Sequence, residues 1–317
     1  MAPSPARLTF FCELEVGPLE ALFASPRVLE HLRALGASVS LGIIDLSAER
    51  AQVVRRLNTA GVPVIAWQLL PKAEGYWFNQ GNVAQASARY ADFHAWTTAQ
   101  GLRFEGVGLD IEPDLQDVQR ALKSRWRLVP ALLPRLSRGG LLKQSRAAYE
   151  ALVERIHAEG YRVDSYQLPF IVDERQAGSS LLERLTGVLD LRVDREVLML
   201  YTSLLRPHGP GVLWSYGPQA RSVGVGITGG GVEVPELLAV PPLTWEEFAR
   251  DLLLARQWTD DLHVFSLEGC VHQGFLERLR DFDWTRAVEL PPKPDWRLAW
   301  LRRSVGRLLR ASRWVLR

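Results

Sequence analysis

Residues 104–113 read FEGVGLDIEP, and the alternation within them governs how the rest of the chain is read. Val107, Leu109 and Ile111 share one side of an extended strand, while Gly108, Asp110 and Glu112 share the other. If the apolar side faces helices, Asp110 and Glu112 turn into the interior of whatever sheet the strand joins. Pro113 cannot donate to a continuing ladder, so the strand ends there. Two carboxyls roughly 7 Å apart by the usual strand rise are costly to bury without a partner or a task. They form a candidate catalytic or ligand-binding pair. The bland alternative is pairing with an inward arginine or capping of loop amides.

Similar short β-rich runs recur along the chain. They fall at 7–14, 38–46, 62–69, 104–112, 162–171, 196–202, 222–228 and 262–268. Helical patterns lie between them at 17–35, 48–60, 79–100, 143–159, 176–187, 244–257 and 273–281. Ser47 has the position of a helix N-cap, and Thr244 with Glu247 has the spacing of a capping box. Gly36, Gly61, Gly101 and Gly160 each close a helix where a left-handed residue is needed. Strands that are apolar on both faces and separated by helices imply a parallel sheet. Eight such units imply closure, so the expected class is α/β, a (β/α)8 TIM barrel with a C-terminal basic amphipathic helix. The expected division is a barrel over 1–289 and a Pro-rich linker plus helix over 290–317. The segment 113–142 is long enough to add a helical excursion above the fourth strand, and 207–219 to form a loop or short helix after the sixth. Both lie on the C-terminal face, where barrels build their sites.

Composition narrows the function. The chain has 317 residues, 47% hydrophobic and 23% charged with a net +2, which suits one globular barrel with insertions. Residues 295–317 hold seven arginines against Asp295; removing that local +6 from the total leaves the body at −4. A mildly acidic body argues against nucleic acid as partner. No apolar run approaches the ~20 residues of a membrane span, and no leader pattern precedes the first strand, so the expected location is cytoplasmic. Cys12 and Cys270 fall on the first and last strands. A bridge is open to them in a closed barrel, but that compartment favours two reduced core thiols. The six histidines, His31, His94, His157, His208, His263 and His272, show no metal-ligand spacing, and neither a metal nor a cofactor is expected.

EGVGLDIEP resembles the fourth-strand signature of the family 18 glycoside hydrolases, the chitinase-like barrels, written DGxDxDxE. Glu105, Gly106, Asp110 and Glu112 fall in register. VLMLYTS resembles that family's sixth strand, with Tyr201 at its tyrosine, and SVGVGITGGG and HVFSLEG resemble its seventh and eighth. The resemblance implies a substrate-assisted mechanism. Glu112 would be general acid and then general base, Asp110 would orient and stabilise the substrate's acetamido group, and Tyr201 would hydrogen-bond that group's carbonyl. The chain departs from the pattern at several places. Glu105 replaces the motif's first aspartate, Gly108 its second, Thr202 stands where an aspartate follows the tyrosine, and Phe265 or Ser266 stands near the place of the eighth-strand tryptophan. A glycan, N-acetylated by this resemblance, is the expected substrate, and a non-catalytic carbohydrate-binding barrel is the alternative.

Further candidates follow from position. Glu268, ending the eighth strand, could pair with Glu112 across the mouth or cap a loop. Glu13, Glu15 and Asp45 end the first two strands, and strand phase alone does not choose among them. Trp67, Tyr76, Trp77, Tyr166 and Trp214 could offer flat faces to sugar rings, with Gln68, Asn79 and Gln167 for hydroxyls, although aromatics in barrels more often serve packing. GITGGG at 226–231 reads as a tight turn giving close backbone access rather than a phosphate cradle. In the tail, Leu298, Leu301, Val305, Leu308, Ser312 and Val315 form one stripe with arginines around it. That pattern suits a helix lying on an anionic membrane surface, peripheral at the inner face, or one packed on the barrel or a second subunit.

Overall fold

The computed structural model describes residues 6–123, 133–137, 139–231, 240–286 and 295–315. Eight parallel strands close into a barrel in sequence order: β1 (Arg7–Cys12), β2 (Ser38–Ile43), β3 (Val64–Gln68), β4 (Gly106–Asp110), β5 (Arg162–Gln167), β6 (Arg195–Met199), β7 (Ser222–Gly226) and β8 (Asp261–Phe265). β8 pairs with β1 from Arg7↔Asp261 to Phe11↔Phe265, and that register closes the ring. Every expected strand is present. Seven of the eight end two to four residues before the sequence pattern suggested, and β3 only one, because chain that leaves the ladder at the C-terminal rim still alternates.

The helices are α1 (Val16–Ala24), α2 (Pro26–Ala34), α3 (Ala48–Ala60), α4 (Val83–Gln100), α5 (Leu115–Lys123), α6 (Gly139–Ala158), α7 (Phe170–Ala177), α8 (Leu181–Thr186), α9 (Gly209–Tyr216), α10 (Trp245–Ala255), α11 (Leu267–His272), α12 (Phe275–Arg280) and α13 (Trp296–Val315). Two expected helices are split. Pro26 lacks the N–H that would continue the first one, and it starts α2 instead. The pattern at 176–187 becomes α7 and α8, separated by Gly178 in the left-handed region. The caps form as expected: Ser47 accepts from Arg50 N at 3.1 Å, and Thr244 and Glu247 complete a capping box. The excursion after β4 holds α5 and a 3-10 turn at Leu133–Ser137, and 124–132 lies outside the described residues.

Alternation sorts the side chains into two cores. Val107, Leu109 and Ile111 join the large layer between strands and helices, whereas Phe11, Trp67, Tyr166, Val197 and Met199 fill the barrel itself. Beneath these aromatics is a polar floor. Arg195 ion-pairs with Asp164 and lies 3.4 Å from Asp261, and burial pushes His263 down to about 3, so it is held neutral. Cys12 and Cys270 are both free and buried.

α13 lies along α7 rather than apart from the barrel. Leu309 is fully buried, and Arg302 is the main anchor. Its guanidinium donates to Asp173 Oδ1 at 2.9 and 2.6 Å and to Gln219 Oε1 at 3.0 Å, and it stacks 3.7 Å over the Tyr216 ring. Tyr216 in turn donates to Asp173 Oδ2 at 2.6 Å. The stripe proposed for a membrane is thus divided: Leu298 packs on the core, while Leu301 and Leu308 are exposed. Among the described residues no helix is long and apolar enough to cross a membrane. Arg302→Ala leaves the mostly buried Asp173 without its cation and is expected to lower stability by about 2 kcal/mol, measured by urea unfolding. Arg302→Lys is not expected to restore it, since an ammonium cannot reproduce a forked contact that also stacks.

Candidate active site

A cavity of about 470 Å3 opens at the C-terminal end of the barrel, within the usual range for a small-molecule site. β4 aims Asp110 into it, and Glu112 follows although the ladder has ended. The chain stays extended because Ile111 bridges Phe78, Phe78 N donates to Asp110 O at 2.9 Å, and Glu112 N donates to Phe78 O at 3.1 Å. Glu13 from the end of β1, Tyr201 from the end of β6, Trp67, Trp77, Tyr166 and Phe265 complete the chemically notable part of the lining. The rest is largely apolar, and no lysine, arginine or histidine lines the cavity among the described residues.

This environment sets the proton affinities. Burial raises Asp110 well above the ordinary carboxylate range, and the neighbouring carboxyls of Glu112 and Glu13 raise it further. Trp67 Nε1 donates to Asp110 Oδ2 at 3.0 Å, which opposes the rise and fixes the carboxyl's orientation. Asp110 Oδ1 accepts no hydrogen bond among the described residues. Burial pushes Glu112 up to about 7, and the adjoining Asp110 carboxyl pulls the other way. Burial also raises the Tyr201 phenol, so it remains a donor at neutral pH. The arrangement therefore offers a proton near neutrality, a second carboxyl two residues away and a phenolic donor in a mostly apolar pocket.

The missing motif aspartate has a steric explanation. A Cβ on Gly108 would lie 2.7 Å from the Tyr166 ring, whose hydroxyl is fixed to Ser40 Oγ at 2.6 Å. Tyr166 fills the space an aspartate would occupy. Thr202 does not face the cavity; it is buried and donates to Asp251. Of the two residues near the place of the eighth-strand tryptophan, Phe265 is the one that lines the cavity.

The other candidates divide by strand phase. Trp67 and Tyr166 point inward, so their neighbours Gln68 and Gln167 point outward; both are fully buried, and Gln167 Nε2 bonds Leu189 O at 3.2 Å. Tyr76 stands behind the rim and donates to Glu13, while Trp77 lines the cavity. Trp214 is on α9, packed edge-on to Trp258 with ring centroids 5.5 Å apart, and takes no part in the lining. Asn79 helps shape the loop after β3, accepting from Gly81 N at 2.8 Å. Glu268 does not line the cavity. It lies on α11 behind the Gly230 backbone, accepts from Glu13 N at 3.4 Å and is pushed by burial to about 7. Asp45 is held by the fully buried Arg50 at 2.8 Å, and Glu15 is exposed. Glu13 was therefore the rim acid that strand phase alone could not choose.

The glycine run after β7 puts bare backbone on the cavity wall. Gly229, Gly230 and Gly231 have φ of 121°, 78° and 94°, and a Cβ on Gly230 would lie 2.6 Å from Glu268 Oε1.

No family model matches the sequence, and no curated protein matches it. Among solved structures, the chain is similar to the PgaB (BpsB) glycoside hydrolase domain of Bordetella bronchiseptica, with TM-score 0.51, 12% identity and coverage of 89% of this chain and 100% of that one. A family 18 chitinase from Pseudoalteromonas aurantia gives 0.49 at 10% identity, covering 88% and 100%. An L-ribulose 3-epimerase gives 0.43 at 15%, covering 95% and 96%. At 12% identity the likeness to the PgaB domain is one of fold alone, a (β/α)8 barrel.

Two outcomes are expected. Gly108→Asp overpacks against Tyr166 and costs about 1–3 kcal/mol, and combining it with Tyr166→Ala relieves part of that cost in a double-mutant cycle. Because Glu112 has a raised pKa in the folded chain, folding retains its proton between about 4.5 and 7 and stability falls as pH rises through that window. Glu112→Gln is therefore expected to melt about 2–4 °C above the parent at pH 8 and level with it at pH 4, read by calorimetry.

Proposed function

We propose that the barrel hydrolyses a glycosidic bond in a glycan carrying N-acetylated sugars, and that residues 1–289 hold this site while 290–317 take no part in it. The observation that carries the reading is the convergence of Asp110, Glu112 and Tyr201 on one mostly apolar cavity. Glu112 gives its proton to the glycosidic oxygen as the bond from that oxygen to C1 breaks. The substrate's acetamido oxygen forms a bond to C1, making a cyclic cation. Water then attacks C1 and passes its proton to Glu112, the acetamido group is released, and the carboxyl is restored. Asp110, oriented by Trp67, faces the acetamido N–H, and Tyr201 donates to its carbonyl oxygen. Trp77 and Phe265 offer apolar faces to the sugar rings.

A second reading, binding without cleavage, draws support from the raised pKa of Asp110. A protonated carboxyl cannot stabilise a developing cation, so the catalytic reading requires Asp110 to be ionised in the substrate complex. The test is turnover and affinity on a panel of N-acetylated and plain oligosaccharides. Glu112→Gln is expected to lower kcat by about 10²–10⁴-fold while affinity changes little, and parent turnover should fall as pH rises above about 7, where Glu112 loses its proton. Binding of a glycan by the parent with no turnover on any member of the panel establishes the second reading.

A further inference from the structure

The C-terminal helix α13 spans 20 residues, about 30 Å, and has two distinct faces. Arg302, Leu309 and Leu298 commit one face to α7, α9 and the adjoining core. On the other, Trp296, Trp300 and Trp314 are 70%, 60% and 66% exposed, and Leu301 and Leu308, on the flank between the two faces, are 50% and 62% exposed. These five make up most of the large exposed hydrophobics among the described residues. At 100° per residue, Trp296, Trp300, Arg303, Arg307, Arg310 and Trp314 fall within an arc of about 80°, roughly opposite Leu298 and Leu309. No carboxylate pairs with Arg297, Arg303, Arg307, Arg310 or Arg313 among the described residues, and the acid just before the helix, Asp295, is bound to His208 at 2.7 Å.

We propose that this outward face docks the barrel on the surface of an anionic lipid bilayer. Tryptophan combines a large apolar ring with one N–H donor, which suits the boundary between headgroups and acyl chains. Arginines interleaved on the same arc reach lipid phosphates and carboxylates from that depth and snorkel where needed. A second copy of the chain fits less well, because matching this face calls for a concentrated acidic patch combined with an apolar one. Nucleic acid fits less well because the body around the helix is net negative. The anchoring of α13 by Arg302 makes the docking surface a fixed part of the barrel rather than a free tail, so the site it carries meets the membrane in one orientation.

The experiment is co-sedimentation of the full chain with vesicles of phosphatidylcholine alone and of phosphatidylcholine with about 30% phosphatidylserine, alongside light scattering over a range of protein concentrations and gel retention of single-stranded RNA. The chain is expected to partition onto the anionic vesicles and not the neutral ones, and to be released as salt shortens the screening length. Replacing Arg303, Arg307 and Arg310 together by Gln should weaken partitioning about 100-fold. Trp300→Ala with Trp314→Ala should weaken it about 10-fold. All five positions are exposed, so each variant should keep the parent's melting temperature, and none touches the barrel site. No partitioning onto either vesicle overturns the proposal. So does partitioning that the variants leave unchanged, a dimer that the tryptophan variants abolish, or RNA retention without vesicle binding. Because turnover is not the readout, the outcome is independent of the role given to Glu112.

Discussion

The pairing of β8 with β1 is the constraint from which the rest of this structure follows. Once Arg7 is opposite Asp261 and Phe11 opposite Phe265, alternate residues of every strand must point into one enclosed space, and their depth is fixed by register. Arg195, Asp164 and Asp261 are thereby stacked at the floor, the aromatics of Phe11, Trp67 and Tyr166 at the middle, and Asp110 at the mouth. The aromatic layer separates two groups of carboxyls that a sheet of any other shape would leave scattered. Asp164 is neutralised by Arg195, whereas Asp110 is left with a tryptophan donor and two acidic neighbours.

That separation explains why the mouth can hold protons near neutrality. Desolvation by Phe265, Met199 and their neighbours disfavours charge, and no cation enters to relieve it among the described residues. The cost in folding stability at alkaline pH is the counterpart of an acid poised for transfer. Trp67 therefore does more than pack: its N–H holds the carboxyl that the rest of the pocket pushes toward protonation. α13 stands outside this arrangement and is tied to the barrel flank by one buried guanidinium network.

Much of the architecture was legible in the sequence, because hydrophobic period and glycine placement are local signals. The eight strands, the capping box at Thr244 and the inward phase of Asp110 all came from spacing alone. What could not be read was depth. RVDSYQ presents Asp164 with the same alternation as Asp110, yet it lies two residues nearer the floor and meets Arg195, a partner 31 positions away. Gln68 and Gln167 were drawn toward the site by their neighbours Trp67 and Tyr166, although one step along a strand reverses the face. The choice of Glu13 was hidden because Asp45 is taken by Arg50, whose fully buried guanidinium also binds the carbonyls of Leu14 and Gly42, and because Glu15 turns to solvent. The tail's hydrophobic stripe proved to be only partly an inner face, since a ring stacked under Arg302 decided which way the helix turned.

The most direct test is a crystal structure of Glu112→Gln soaked with an N-acetylated oligosaccharide. The expected result is a sugar ring seated between Trp77 and Phe265, its acetamido group within hydrogen-bond distance of Asp110 and Tyr201 and its glycosidic oxygen within reach of Gln at position 112. A sugar bound elsewhere, or an Asp110 carboxyl turned from the cavity onto a protein cation, would contradict the assignment.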